Sequence, residues 1–296
     1  MKKILVPTDF GQEAKKSYNV ARRFAERHDA EIVLFHILPS KMKVLSSLSL
    51  GIMGNPSITE VKGEVAAANE QMGEIIKSGA FGVKKVSTKI LQGEEGIAND
   101  VLHFFNEEEH ELVILGTAGE DKSGESNAEI ISRKSTIPVL TVHKEVDHFD
   151  VTHILLPTDF KSINRKFIQK IVHIKEVFGA KLTILFINTP KTFKETEYLN
   201  REWKLLKNRH HLENIDFDCY NSFDIESGIS RYGKKHNVDL IALPTHGRRG
   251  IDRLFTTSYV EDIINNSEIP VYSYNLHNDD AHLPGGTNSS YSGGFG

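Results

Sequence analysis

The sequence predicts an α/β protein of two tandem doubly wound domains, each a five-stranded parallel sheet. Three observations predict it. A strand-and-loop motif occurs twice, half a chain apart; strand-length apolar runs alternate with amphipathic helical stretches; and those runs are apolar at every residue rather than at every second one. Alternating strands and helices call for a parallel sheet, and strands apolar throughout call for helices on both faces of it.

The repeat is the firmest of the three. Lys3-Ile4-Leu5-Val6-Pro7-Thr8-Asp9-Phe10 returns almost residue for residue as His153-Ile154-Leu155-Leu156-Pro157-Thr158-Asp159-Phe160. Ala30 to Ile37 parallels Ala180 to Ile187, Leu112 to Gly119 parallels Leu240 to Gly247, and Ile137-Pro138-Val139 parallels Ile269-Pro270-Val271. Solenoid repeats have periods of about 20 to 50 residues, so a period of half the chain means duplicated domains. The expected boundaries are 1–146 and 151–276, with 277–296 a tail too rich in Gly, Ser, Asn and Asp to fold.

In order along the first half, Ile4 to Pro7 reads as a buried strand and Glu13 to His28 as a helix with Ala14, Tyr18, Ala21 and Ala25 near one face. Glu31 to Leu38 is the second strand. Pro39 to Pro56 mixes apolar residues with Ser and Gly and reads either as an insertion with a short helical turn or as a cover for a pocket or partner surface. A helix over Ile58 to Ser78, a strand over Lys84 to Gln92, a helix over Glu94 to Phe105, a strand over Leu112 to Gly116, a helix over Ser126 to Arg133 and a strand over Pro138 to His143 complete the half. The second half repeats this order, with Leu205 to Lys207 inside its long middle helix and Ile215 to Tyr220 as its third strand.

Composition removes several function classes. A net charge of -4 argues against a general nucleic-acid binder. Cys219 is the one cysteine in the sequence, which excludes an intrachain disulfide, a zinc ribbon and a CxxC redox centre. His210-His211 lacks a carboxylate or cysteine partner at helical spacing, so no metal site is expected there. The run Ile4 to Pro7 is too short for a signal-peptide core, and no stretch approaches the roughly 20 apolar residues of a membrane helix. The expectation is a cytoplasmic protein without membrane or nucleic-acid partners.

In doubly wound sheets ligands sit beyond the carboxyl ends of the strands where the winding reverses. Here those are the loops after the first and fourth strands, which carry the two repeated motifs. In the second half, Leu240 to Pro244 runs into Thr245-His246-Gly247-Arg248-Arg249-Gly250 and restarts at Thr257-Ser258-Tyr259, with Glu261 three positions beyond Ser258. That reads as strand, loop and capped helix, and a helix start beside Arg248, Arg249 and Arg253 suits a phosphate.

The motifs ILVPTDF and ILLPTDF, the strand ending LFHI, and LGTAG or LPTHG leading to a capped helix with IPV beyond resemble the universal stress protein family in tandem form. The resemblance runs from Lys2 to about Asn275 and implies, for each domain, an adenine nucleotide alpha hydrolase-like fold with strand order 3-2-1-4-5. In that family many members bind ATP through the Asp after strand one, the backbone ending strand two, and a loop Gly-x2-Gly-x9-Gly-Ser/Thr, while others lack the loop and bind none. Carried over, this implies a site of Pro157, Thr158, Asp159, Asn188, Thr245, His246, Gly247, Arg248, Gly250, Thr257, Ser258 and Tyr259. It implies a weaker one of Pro7, Thr8, Asp9, Ile37, Gly116, Gly119 and Ser126, and ATP with Mg²⁺ as cofactor. The second half keeps the nine-residue spacing from Gly247 to Thr257 but has Pro244 and Thr257 where glycines are expected. The first keeps Gly116-Thr117-Ala118-Gly119, yet its loop to Ser126 is shorter and carries Glu120, Asp121 and Glu125 against a triphosphate. The resemblance further implies pairing of the fifth strands, Pro138 to His143 with Pro270 to Tyr274, as an intrachain pseudo-dimer, with a homodimer as a further level.

Structural readings stand beside these. Asp9 and Asp159 would serve equally as caps of the first helix of each half, and Ser126 with Glu129 and Ser258 with Glu261 as capping boxes. His246 would be a solvated loop histidine, and Trp203 the buried residue of a solvated helix face. Two function classes remain: an ATP-binding regulatory or stress-response protein, at most a slow ATPase, or a non-nucleotide interaction module or binder of another small ligand. The SGGxDS loop and the HIGH signature of catalytic relatives are absent from both PTDF copies, and no reaction is assigned.

Overall fold

The computed structural model describes residues 1–38, 58–78, 83, 85–107, 109–117, 126–143, 149–161, 163–245 and 257–276, with backbone alone for 58–60, 107, 257 and 258. The first half runs β1 (Lys3–Pro7), α1 (Gln12–His28), β2 (Glu31–Leu38), α2 (Ile58–Ser78), β3 (Val86–Gln92), α3 (Ile97–Glu107), β4 (Leu112–Gly116), α4 (Asn127–Lys134) and β5 (Val139–Val142). The second runs β6 (His153–Pro157), α5 (Arg165–Phe178), β7 (Lys181–Asn188), α6 (Thr196–His210), β8 (Asp216–Asn221), α7 (Ile225–Lys235), β9 (Leu240–Thr245), α8 (Thr257–Asn266) and β10 (Val271–Asn275). The expected 39–56 insertion and the 277–296 tail lie outside the described residues.

The strands form one sheet in the order β3-β2-β1-β4-β5-β10-β9-β6-β7-β8. This corrects the expectation of two separate five-stranded parallel sheets. Within each half all neighbours are parallel, but β5 and β10 pair antiparallel, with Val271 opposite Thr141, Tyr272 opposite Leu140 and Ser273 opposite Val139. The result is a ten-stranded mixed sheet. The physical reason lies in the fifth strands themselves: every residue of β5 and β10 is buried. A buried edge with unpaired N–H and C=O groups is costly, and mutual pairing removes both edges at once.

Two apolar layers cover the faces of this sheet, and each spans both halves. Ile4, Phe24, Ile154 and Phe167 belong to one, under α1, α2, α5 and α6; Leu5, Phe35, Leu155 and Ile263 belong to the other, under α3, α4, α7 and α8. Adjacent strand residues such as Ile4 and Leu5 enter opposite layers, as the two-residue side-chain period of a strand requires. Trp203 is half-buried and stacks on Phe217 with ring centroids 5.4 Å apart, so the α6 face is less solvated than its charged sequence suggests.

The seam between halves is held on both faces. On one, Arg23 donates to Asp150 at 2.7 Å and Phe24 lies 5.0 Å from Phe178 and 6.0 Å from Phe149. On the other, α4 packs beside α8 and against β10. Because the halves run antiparallel across the seam, the carboxyl ends of β1 and β4 open on one edge of the sheet and those of β6 and β9 on the opposite edge.

Candidate functional site

Each strand-one motif folds into the same side-chain-built turn. Thr8 Oγ1 accepts from Phe10 N at 3.0 Å and Asp9 Oδ1 from Gly11 N at 2.8 Å; Thr158 Oγ1 accepts from Phe160 N at 2.8 Å and Asp159 Oδ1 from Lys161 N at 2.8 Å. The phenylalanines take left-handed backbone, with φ of 68° at Phe10 and 63° at Phe160. A bulky residue there is strained, and the two flanking acceptors compensate. Neither aspartate is a helix cap: the N-cap of α1 is Gly11, and that of α5 is Asn164, whose side chain accepts from Phe167 N. The capping reading of Asp9 and Asp159 is therefore replaced by a turn.

In the first half, Pro7, Thr8, Asp9, Ile37 and Gly116 come together around a cleft of about 160 Å³ at the carboxyl ends of β1, β2 and β4. Its walls are mostly apolar, from Phe35, Val101, Leu115 and Ile131, and Ile97 at its rim is 53% exposed. Gly116 is required by close approach: a Cβ there would lie 2.2 Å from the carbonyl oxygen of Glu13. Pro244 stands at the matching place in β9, and the second-half helix α5 begins only at Arg165. Gly119 lies outside the described residues.

In the second half, Pro157, Thr158, Asp159, Asn188 and Thr245 end β6, β7 and β9 along one edge, and all are buried. Asn188 is bound to its own loop, its amide donating to Lys194 O at 3.2 Å and its carbonyl accepting from Lys194 N at 2.9 Å. Thr245 Oγ1 donates to Ser132 O of the first half at 3.3 Å. Tyr259 is half-buried against the α7/α8 layer. His246, Gly247, Arg248 and Gly250 lie outside the described residues, as do the side chains of Thr257 and Ser258.

At the seam the first turns of α4 and α8 each meet the far end of the other helix. Ser126 and Glu129 form the expected capping box on α4: Ser126 Oγ accepts from Glu129 N at 3.1 Å and Ser126 N donates to Glu129 Oε2 at 2.8 Å. Asn265 at the end of α8 closes it, accepting from Ser126 Oγ at 2.8 Å and donating to Glu129 Oε1. The pseudo-symmetric contact is charged. Arg133 at the end of α4, 11% exposed, lies 3.2 Å from Glu261 in α8. A carboxylate thus already occupies the start of α4, where an anion would gain most from the helix dipole.

Two participants escaped sequence reasoning. His36 Nδ1 meets Thr8 O at 2.7 Å while its ring lies 4.3 Å from Phe10, so it braces the first-half turn. A histidine inside the apolar run LFHI was the available signal. Arg133 reaches across from the other repeat, and nothing local in the sequence announces a partner 128 residues away. Among the described residues, no group of three or more His, Cys, Asp or Glu is arranged to hold a metal ion, and no helix is long and apolar enough to cross a membrane.

Comparison with known proteins gives this architecture its relatives. The profile of the universal stress protein family matches residues 1–143 and 224–274. Universal stress protein MJ0577 of Methanocaldococcus jannaschii is 28% identical over 160 residues, covering 49% of this chain and 96% of that protein. The crystal structure of a universal stress protein from Archaeoglobus fulgidus superposes with a TM-score of 0.68 at 15% identity, over 92% of this chain and 98% of that one. A Pseudomonas aeruginosa protein of unknown function superposes at 0.63 with 14% identity, over 95% and 96% of the two chains. With the profile matched in both halves, and each half keeping the strand ends and turn of the other, the chain belongs to the universal stress protein family and carries two copies of its domain.

Proposed function

We propose that this chain is a regulatory protein that holds a phosphorylated ligand, ATP with Mg²⁺, at the strand-end edge of its second half, and acts by binding rather than by turnover. The observation that carries this reading is the asymmetry of the two helix starts. On α4 the Glu129 carboxylate takes the Ser126 backbone N–H, the Ser126 hydroxyl is held between the Glu129 backbone N–H and the neutral Asn265 amide, and the loop before it is acidic in sequence. On α8 the matching Glu261 faces a guanidinium from the other half, and the preceding segment carries Arg248, Arg249 and Arg253. Positive charge beside a helix start and a winding reversal is where a phosphate gains most. Thr158, Asp159 and Asn188 on the same edge supply a rigid floor for it. Mg²⁺ would arrive on the phosphates, since it ordinarily takes only one or two protein carboxylates.

The test is thermal denaturation with ATP and Mg²⁺. A ligand at 100 times its Kd stabilises by about 2.7 kcal/mol, so a clear rise in Tm is expected for the wild type and its loss for Arg248→Ala/Arg253→Ala. No rise at millimolar ATP, or a rise that survives the double variant, overturns the reading. A second reading has its own observation, the apolar first-half cleft with Ile97 exposed at its rim. On that reading the first half takes an uncharged small ligand. Mass spectrometry of small molecules released from purified protein would find one, and Ile97→Lys would remove it.

A further inference from the structure

A cavity of about 480 Å³ lies at neither strand-end crevice. It is a groove between α7 and α8. Its floor is Ile229, Ile241 and Ile263, the first two almost wholly buried, and its rims carry Asp224, Glu226 and Asp262. Small-molecule sites typically span roughly 300 to 1,000 Å³ and combine an apolar lining with a few polar groups. Among the described residues, no lysine or arginine lines this one.

The first half provides an internal control, because its α3 and α4 occupy the same places over the same layer. Aligned through β4 with β9 and β5 with β10, Glu226 corresponds to Ala98, Ser230 to Leu102 and Asp262 to Ile130. Ala98 and Leu102 are buried and Ile130 packs against the core. Asn99 and Lys134, matching Ser227 and Asn266, hydrogen-bond across the gap at 3.4 Å. The groove is therefore filled and bridged in one copy and open and acid-rimmed in the other. A surface merely drifting toward solvent polarity would scatter charges of both signs. Here each apolar filler is exchanged for a carboxylate or hydroxyl around a floor that stays apolar, Ile229, Ile241 and Ile263 standing where the first half has Val101, Val113 and Ile131.

The rim carboxylates act on one another, and Glu226 shares a hydrogen bond with Asp224. Burial first, then Asp224 and Asp262, push the Glu226 carboxyl above its ordinary range. Asp224 is held low because it caps α7, accepting from Ser227 N at 2.7 Å, and Arg231, outside the lining, also acts on it. The three carboxylates form no set able to ligate a single metal ion among the described residues. Charges spread along a trough with an apolar floor match a cation of the same form.

We propose that the groove between α7 and α8 binds a linear aliphatic cation carrying two or more amines, its methylene chain over the isoleucine floor and its amines against Glu226, Asp262 and Asp224. The site is independent of the nucleotide reading and is tested without ATP. Spermidine is titrated calorimetrically into the full chain. A single saturable site is expected, with Kd raised at least tenfold in Glu226→Gln/Asp262→Asn. The matched change Glu70→Gln/Glu74→Gln on α2, on the other face of the sheet, should leave Kd unaltered. Filling the groove as the first half does, with Ser230→Leu/Asp262→Ile, should abolish binding while Tm holds or rises. Methyl resonances of Ile229 and Ile263 should shift on titration. Equal weakening by both charge-matched pairs, binding that survives the filled groove, or no saturable site overturns the proposal.

Discussion

Thr8 and Thr158 show how much one hydroxyl does at this level. Each supplies the acceptor that lets a phenylalanine sit in left-handed backbone directly after a strand. Thr158→Val keeps the shape and deletes the acceptor, leaving the Phe160 N–H buried without it. A loss of about 1–3 kcal/mol in urea unfolding is expected. Gly116→Ala should cost at least as much, since its new carbon meets the Glu13 backbone rather than a side chain that could swing away. The acid limb of stability also belongs to single residues. Burial pulls His153 and His28 below the ordinary histidine range. The folded chain then binds fewer protons than the unfolded one, so stability is full above about pH 6.5 and drains away as pH falls through the depressed folded values. The urea midpoint should drop between pH 7.5 and 5.5, with a shallower drop in His153→Gln. At this scale the sequence was legible in part. Repetition of Thr-Asp-Phe flagged a motif read equally as a ligand contact or a helix cap, and the cap reading fails because a cap and a side-chain turn use the same residue types and differ only in where the next helix begins.

Among elements, α4 and α8 carry the most information. The capping box of α4 could be read from Ser126 and Glu129 alone, since both partners lie within one turn. The other half of each contact could not, because Asn265 and Arg133 come from the opposite repeat and meet these helix starts only after the fifth strands pair. Ser126→Ala should cost about 1 kcal/mol as a lost cap, read as a lower Tm without change in nucleotide response. Arg133→Ala, by contrast, should weaken ATP binding by about tenfold, the scale of one charge-assisted contact, while Asn265→Ala leaves it alone. Equal ATP affinity in both variants would detach Arg133 from the second-half crevice.

For the whole molecule, strand count and winding were legible because fully apolar strands and a half-chain period leave little else to build. The joining of two sheets into one was not, although both fifth strands were expected to pair. Periodicity identifies strands that need cover and is silent on whether a pairing continues a sheet or docks two finished ones. Since both apolar layers cross the seam, the halves should unfold together. Trp203, the one tryptophan, reports on the second half, while far-ultraviolet circular dichroism reports on both. Their guanidinium transitions should coincide in the wild type and separate in Ser273→Pro, which removes a donor from the central pairing. Coincidence in the variant as well would mean that the helices, not the strands, couple the halves. The seam has a further consequence. Two separate identical subunits meeting this way must repeat every feature on both sides, so an arginine facing a glutamate would always appear twice. Fusion into a single polypeptide lifts that obligation, letting one side keep a cation and the other an amide. Each copy is then free to specialise while its neighbour carries the duty it gave up.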